Sequence, residues 1–458
     1  MDVLSNDSDP AGENDTIQIT GIDATETKGL VSLLPVAQRI RYQANNEFEY
    51  LTQDSVESVF FTYSIGDEDG GSATATVQID VHGQNDVPTV VSQIDPVTVV
   101  EGTVVSTSVD ISGNFDDVDN GAVLTYSASS SDESLVVASV TGSVLNLSFQ
   151  PDRCGKAIVD VTATDEFGAS VRTSVTVTVL PPPVSVSFDS LTGIVAIVGT
   201  ACGDTVEVSS DAVADTLTVT DLNDPNNPLT HDFTLSTVTS ISFTGQGEDD
   251  YFSNVTGIAS VASGDDGNDT LLGGSGSDSF DGGAGVDFLA GGGGADVLLG
   301  GDDDDVLSGD GGNDSLAGNA GNDELIGGDD NDTLEGGQGS DTLSGGNHQD
   351  SLVGGAGTDS LMGDAGPDTL SGGDDADTLD GGQGNDFLLG DNGADVLFGG
   401  INYDTLDGGN GPDTLSGGDN LDSLIGGAGA DSLMGTLART RSRAAQKMTR
   451  STVVTAPM

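Results

Sequence analysis

Tryptophan is absent from this 458-residue chain, aromatic residues make up 4% of it, and there are two cysteines. Two cysteines settle no compartment. Basic residues are nearly as scarce: 11 Lys and Arg stand against 76 Asp and Glu, a formal charge of −65. Such a balance argues against nucleic acid and anionic membrane as partners, since both would be repelled. No apolar run approaches the roughly 20 residues of a transmembrane helix. The opening "MDVLSNDSDP" has no signal-peptide core, so no export signal is read in this chain. Catalytic signatures are missing too. The three histidines, His82, His231 and His348, form no HExxH, and no GxSxG occurs. The chain therefore reads as not an enzyme. Cys154 and Cys202 fall in different predicted domains and read as two buried, unpaired thiols.

What is abundant is glycine, 68 residues, and aspartate. From Gly264 to Met434 the chain is an unbroken run of nine-residue units, of which "GGQGSDTLS" (336–344) and "GGAGTDSLM" (354–362) are examples. All 19 units begin with Gly, and all have Asp at the sixth position. These are Asp269, Asp278, Asp287, Asp296, Asp305, Asp314, Asp323, Asp332, Asp341, Asp350, Asp359, Asp368, Asp377, Asp386, Asp395, Asp404, Asp413, Asp422 and Asp431. The eighth position is Leu in 18 units and Phe280 in the other.

A fixed apolar residue every nine positions is not the product of disordered low complexity. The substitutions argue the same way. Where the fourth position is not Gly it is Asp303, Asp330, His348, Asp375, Asn402 or Asn420. Where the second is not Gly it is Asp265, Asp310, Asn319, Asp364 or Asp391. After Gly, Asp, Asn and His tolerate the left-handed region best, so both positions are expected at positive φ. His348 reads as one of these turn residues, not as a ligand.

Six residues then make a turn lined with carbonyls and one carboxylate, and three make a short strand with its Leu inward. Such oxygen ligands suit Ca²⁺. The segment 264–434 holds 35 Asp, 2 Glu and no Lys or Arg, a charge of −37 that cannot pack compactly without counter-cations.

The motif GGxGxDxUx resembles that of the RTX, or hemolysin-type, calcium-binding proteins. The resemblance implies a right-handed parallel β-roll in which two units make one 18-residue coil and each ion lies between the turns of units i and i+2. Nineteen units then offer up to about 17 calcium sites, whose charge would nearly neutralise the segment. It also implies a chain exported unfolded that folds on meeting extracellular calcium.

Residues 1–180 alternate in period two. "SATATVQIDV" (72–81) puts Val77, Ile79 and Val81 on one face, and "SVTVTVL" (174–180) does so with Val175, Val177 and Val179. Two stretches resemble tandem cadherin-like domains: "VLSNDSDP" (3–10) with "FTYSIGDEDGGSATATVQIDVHGQNDVP" (61–88), and "FDDVDNGAVLTYSA" (115–128) with "VDVTATDEFGASVRTSVTVTV" (159–179). The strand expected before "VLSNDSDP" is missing, so Met1 reads as an internal start. Asp67, Asp69, Asn85, Asp86, Asp116, Asp119, Asp165 and Glu166 are candidate ligands of further calcium ions in these domains.

The fold expected is all-β: cadherin- or Ig-like β-sandwiches at 1–86 and 87–180, a β-rich cap of degenerate coils at 184–263, the β-roll at 264–434 and a basic tail at 435–458. In that tail "TRS" recurs nine residues apart, and a back-translation shifted by one base after Gly435 can read as repeat-like units. The tail is thus expected to be frameshifted repeat, the alternative being a true basic tail for anionic surfaces. Two functions fit: a secreted or cell-surface adhesion or scaffold module that binds calcium ions and cell-surface or matrix partners, or a fragment of an exported enzyme or toxin.

Overall fold

A computed structural model of the chain describes residues 1–5, 7, 16–119, 121–435 and 450–451. Part of "VLSNDSDP" and nearly all of the basic tail lie outside the described residues. Among the described residues every regular element is a strand, apart from a single 3-10 turn at Leu235–Thr237. The chain is all-β, and no helix in the described residues is long and apolar enough to cross a membrane.

One compact unit comprises Met1–Val99, Thr103–Pro151 and Gly155–Val179. It contains two sandwiches. In the first, Gln18–Asp23, Val56–Gly66 and Ser72–His82 form one antiparallel sheet, and Leu30–Leu34 pairs with Arg39–Gln43. Ile19, Ile40, Phe61 and Tyr63 make its core, with Val77 and Ile79 packed against them, as the alternation in 72–81 requires. In the second, a four-stranded sheet (Thr125–Ser130, Gly155–Thr164, Ser170–Leu180, Val97–Val100) accompanies a three-stranded one (Val136–Thr141, Val144–Phe149, Ser106–Asp110). Val175, Val177 and Val179 are all buried in it.

The second unit comprises Val100–Gly102, Asp152–Cys154 and the chain from Leu180 onward. From Ser260 the strands stack in two parallel sheets, each strand pairing with the one 18 residues later, as Phe280 does with Leu298 and Leu298 with Leu316. Successive nine-residue units alternate between the sheets, so one coil takes two units. Each unit contributes one inward apolar residue, and the column from Leu271 to Leu424 is essentially inaccessible to solvent. Burying one such side chain is worth about 1.5–3 kcal/mol. A single column cannot make a core except by stacking, so the roll has only neighbour contacts.

The head of the stack is closed by antiparallel hairpins. Ser185–Asp189 turns back on Ile194–Val198, and Thr205–Asp211, Thr216–Asp221 and Leu229–Thr234 form a meander. Each group joins the roll through a parallel pair, Ile194–Val198 with Ser240–Gly247 and Thr205–Asp211 with Tyr251–Asn254. At the far end Ser432 and Leu433 pair in parallel with Arg450 and Ser451, again 18 residues on.

The expectation of two unpaired thiols is corrected. Cys154 and Cys202 form a disulfide, with an S–S distance of 2.04 Å. The reason is that Asp152–Cys154 belongs to the second unit, although sequence position puts it inside the second sandwich. The bridge closes a separation of 48 residues, for which loss should cost about 2–5 kcal/mol. Cys202→Ser is therefore expected to lower the guanidinium midpoint of the calcium-loaded chain. An identical midpoint with and without reductant would show that the bridge contributes nothing.

Candidate metal centre

The repeat turn has a backbone few residues accept. All eleven residues that replace Gly at the second and fourth positions have positive φ, from 65° at Asp391 to 90° at Asn402. His348 has φ 81°, and its Nδ1 accepts the Asp330 amide at 3.2 Å. It is a turn residue, as the sequence suggests.

The first Gly is required for another reason. A Cβ built on Gly336 would lie 2.3 Å from Asp341 Oδ2 and 2.7 Å from the carbonyl oxygen of Gly354, one coil on. The same pair of oxygens crowds the leading Gly along the ladder: Asp323 Oδ2 and the Gly336 carbonyl at Gly318, Asp395 Oδ2 and the Gly408 carbonyl at Gly390. Each turn thus presents a carboxylate oxygen and carbonyls around a hollow where no side chain fits.

The aspartates form two ladders. Oδ1 of each accepts the amide of the residue at the same place one coil earlier, an Asp in every case but Asp278, which accepts from Ser260; Asp341 accepts from Asp323 at 2.9 Å and Asp359 from Asp341 at 2.8 Å. Oδ2 is left over. In 18 of the 19 repeat aspartates it is buried without a hydrogen-bond partner, Asp278 being the exception because it accepts from Gly274. A buried, unpaired carboxylate oxygen is costly, and here it recurs at every coil. Burial is the main force on these groups. It pushes the carboxyls of Asp269, Asp296 and Asp341 up to about 6, and those of Asp287, Asp305, Asp332, Asp368 and Asp377 up to about 7. Neighbouring aspartates add to the shift.

Among the described residues no three His, Cys, Asp or Glu side chains converge closely enough to hold a metal by themselves. An ion in the roll must therefore take most of its ligands from carbonyls. Hard oxygen donors, flexible in number and joined by carboxylates, fit Ca²⁺ better than a metal that prefers nitrogen or sulfur.

The sandwich candidates divide. Asn85 Nδ2 donates to Asp165 Oδ2 at 2.8 Å, and the Asp86 amide donates to Asp119 Oδ2 at 3.1 Å, so these four residues come together. Burial pushes the Asp165 carboxyl up, but hydrogen bonds from Asn85 and the amides of Phe167 and Ala169 outweigh it and the net shift is downward. Asp67 instead accepts the amides of Asp69 and Gly71 in its own hairpin turn. Asp69, Asp116 and Glu166 are exposed. Asp117, which sequence reasoning passed over in favour of Asp116, lies in the cluster: its Oδ1 accepts the Asp119 amide at 3.0 Å. Asn85 Oδ1, Asp117 Oδ2 and Asp119 Oδ1 are buried and unpartnered. In "FDDVDN" three acids stand within five positions, and only the backbone direction decides which turn inward.

Comparison with known proteins agrees with this geometry. The RTX calcium-binding nonapeptide repeat matches residues 263–298, 290–325, 299–334, 326–361, 353–388, 371–406 and 407–437. A bacterial Ig domain matches residues 1–80. No curated protein matches the chain. Solved structures similar to it include PcdhgB3 EC1-4 (14% identity, 48% of this chain and 65% of that one, TM-score 0.24). Others are the human Desmocollin-1 ectodomain (12%, 45% and 38%, TM-score 0.23) and extracellular cadherin domains 1-4 of Protocadherin Gamma B7 (15%, 48% and 65%, TM-score 0.26). The chain spans less than two thirds of the length of each, and at these scores nothing about its function follows from them.

Proposed function

We propose that this chain, which carries RTX calcium-binding nonapeptide repeats behind a bacterial Ig domain, is a non-catalytic module of a secreted or cell-surface protein, rigidified by Ca²⁺ and serving in adhesion or as a scaffold. The observation that carries the calcium reading is the ladder of 18 buried repeat carboxylates with one oxygen each left unpaired. Such oxygens are tolerable only where a cation completes them. The roll residues that would hold the ions are the sixth-position aspartates from Asp269 to Asp431, with carbonyls of the flanking turns. Bound calcium would supply charge compensation, not chemistry. Secretion is typical of proteins with these repeats, and the disulfide suits an oxidising compartment. Extracellular calcium, at millimolar levels, needs sites of only about 10⁻⁴–10⁻³ M affinity.

The direct test is a Ca²⁺ titration of the full chain followed by far-UV circular dichroism, with Mg²⁺ as the control. A cooperative gain of β signal with Ca²⁺ alone is expected. A signal indifferent to Ca²⁺ removes this reading and leaves an acidic coat as the better account. The adhesive role is tested by coating beads with the chain: clustering, or capture on cells or matrix, should need Ca²⁺ and reverse on chelation.

The first unit supports a second calcium position, at Asn85, Asp117 and Asp119. Asp119→Asn is expected to remove the calcium-dependent part of this unit's thermal stability, about 1.4 kcal/mol if the ion is present at ten times its Kd. Differential scanning calorimetry with and without Ca²⁺ measures it. Equal calcium responses in variant and wild type would discard the position.

A further inference from the structure

One coil before the first repeat, the turn Gly245–Asp250 reads "GQGEDD". It lies outside the residues that match the repeat, which start at 263. Its second and fourth residues are Gln and Glu, neither of which favours the left-handed region. Yet Gln246 has φ 92° and Glu248 φ 62°, the backbone of a repeat turn. A Cβ on Gly245 would lie 1.9 Å from Asp250 Oδ2 and 2.6 Å from the Gly264 carbonyl oxygen. At Gly264, inside the repeats, the corresponding distances to Asp269 Oδ2 and the Gly282 carbonyl are also 1.9 and 2.6 Å. The Asp250 amide donates to Asp269 Oδ1 at 2.7 Å, continuing the ladder. Asp250 is 3% exposed and its Oδ2 has no partner.

The turns next to it behave differently. One coil earlier, Asp204 is equally buried, but both its oxygens are filled: Oδ2 accepts the Thr200 amide and Oδ1 the Asn223 side-chain amide. Neither Thr200 nor Cys202 has positive φ. On the other ladder the turn before Gly273–Asp278 has Asn254 in the place of Gly and Ser260 in the place of Asp. Asn254 donates to the Ile258 carbonyl at 2.8 Å and accepts from Thr256 Oγ1 at 2.7 Å, while the amide and Oγ of Ser260 donate to Asp278 Oδ1. Here a side chain fills the hollow and no carboxylate is present.

We propose that Asp250, with the Gly264 carbonyl, holds a further calcium ion outside the repeats, and that Asn223 on one edge and Asn254 on the other are polar plugs at which the two ion columns stop. The cap is then part of the metal-binding body and not merely a lid over its core. This rests on the calcium reading of the repeats.

Native mass spectrometry of the calcium-loaded full chain tests it by counting ions. Asp250→Asn is expected to carry one ion fewer than wild type. Asp266→Asn, an exposed acid in the next turn, should carry the same number as wild type. An unchanged count in Asp250→Asn overturns the proposal, whereas a wild-type chain without calcium overturns the broader reading instead. If Asp250→Asn does not reach the calcium-folded state, terbium luminescence decides. Tyr251 adjoins Asp250 and Tyr403 adjoins Asp404, so Tb³⁺ at either place is excited through tyrosine. Tyr251→Phe should lower the emission by an amount comparable with Tyr403→Phe. Emission lowered by Tyr403→Phe but untouched by Tyr251→Phe rejects the site at Asp250, and emission untouched by both rejects cation binding by the roll.

Discussion

Chelation of calcium from the full chain at neutral pH should strip residues 264–434 of hydrogen-exchange protection while the sandwiches of the first unit keep theirs. The expectation follows from charge and from the size of the metal contribution. The segment carries −37 and no Lys or Arg, and its sixth-position carboxylates are nearly inaccessible to water, Asp305 at 1% and Asp368 at 1% among them. Without cations that charge is held at close quarters in a low-dielectric stack, and the compact state is disfavoured. With calcium at ten times Kd each site adds about 1.4 kcal/mol, so if the roll holds the roughly 17 ions its repeats would allow, they contribute on the order of 20 kcal/mol, more than the roughly 5–15 kcal/mol that holds an ordinary domain together. Loss of the ions therefore exceeds the net stability of an ordinary domain.

The loss should also be cooperative, because each aspartate joins two coils: Oδ1 takes an amide from the coil before, and the carbonyl of the coil after stands beside Oδ2. Mg²⁺ should not substitute, since it demands tighter octahedral geometry and retains its waters. Amide exchange followed by mass spectrometry, in Ca²⁺, in Mg²⁺ and in chelator, reads all three arms. Protection of the roll that is equal in Ca²⁺ and in chelator would mean the leucine column alone orders it.

Much of this was legible because the repeat states its backbone in its substitutions. Eleven Asp, Asn and His residues at two fixed positions predict positive φ, and all eleven have it. The same logic fails at Gln246 and Glu248, which adopt that backbone without the residue types that announce it. There the following coil dictates the turn, since Gln246 and Gly247 pair in parallel with Asp265 and Asp266. The sandwich faces were legible from period two. What they hold at their acidic turns was not, because Asp116 and Asp117 differ only in which way the chain turns after Phe115. The disulfide was hidden for a simpler reason. A three-residue segment, Asp152–Cys154, leaves the grouping its neighbours in sequence belong to, and linear domain boundaries cannot represent that.

In chelator, acidification from pH 7 to pH 5 should restore part of the β signal that calcium withdrawal removes. The buried carboxyls of the metal-free roll are pushed up, to about 6 at Asp386, Asp404 and Asp413 and to about 7 at Asp332, Asp368 and Asp377, mainly by burial. In the unfolded chain an Asp titrates near 3.9. Between those values the folded state binds more protons than the unfolded state, so stability falls as pH rises. The contribution is complete below the unfolded value and is lost as pH climbs through about 6 to 7. A proton thus does in part what calcium does: it cancels charge on an oxygen that has no other partner. The two must then compete, and calcium affinity should weaken over the same interval. At pH 5 the chain is still above its isoelectric point of about 4.1, so a gain in signal there is not simple precipitation. Far-UV circular dichroism and sedimentation in chelator, stepped from pH 7.5 to 5, make the measurement. A monomeric chain whose β content stays flat across that range would show that relieving charge is not enough, and that the ion is needed for the geometry it imposes on the carbonyls.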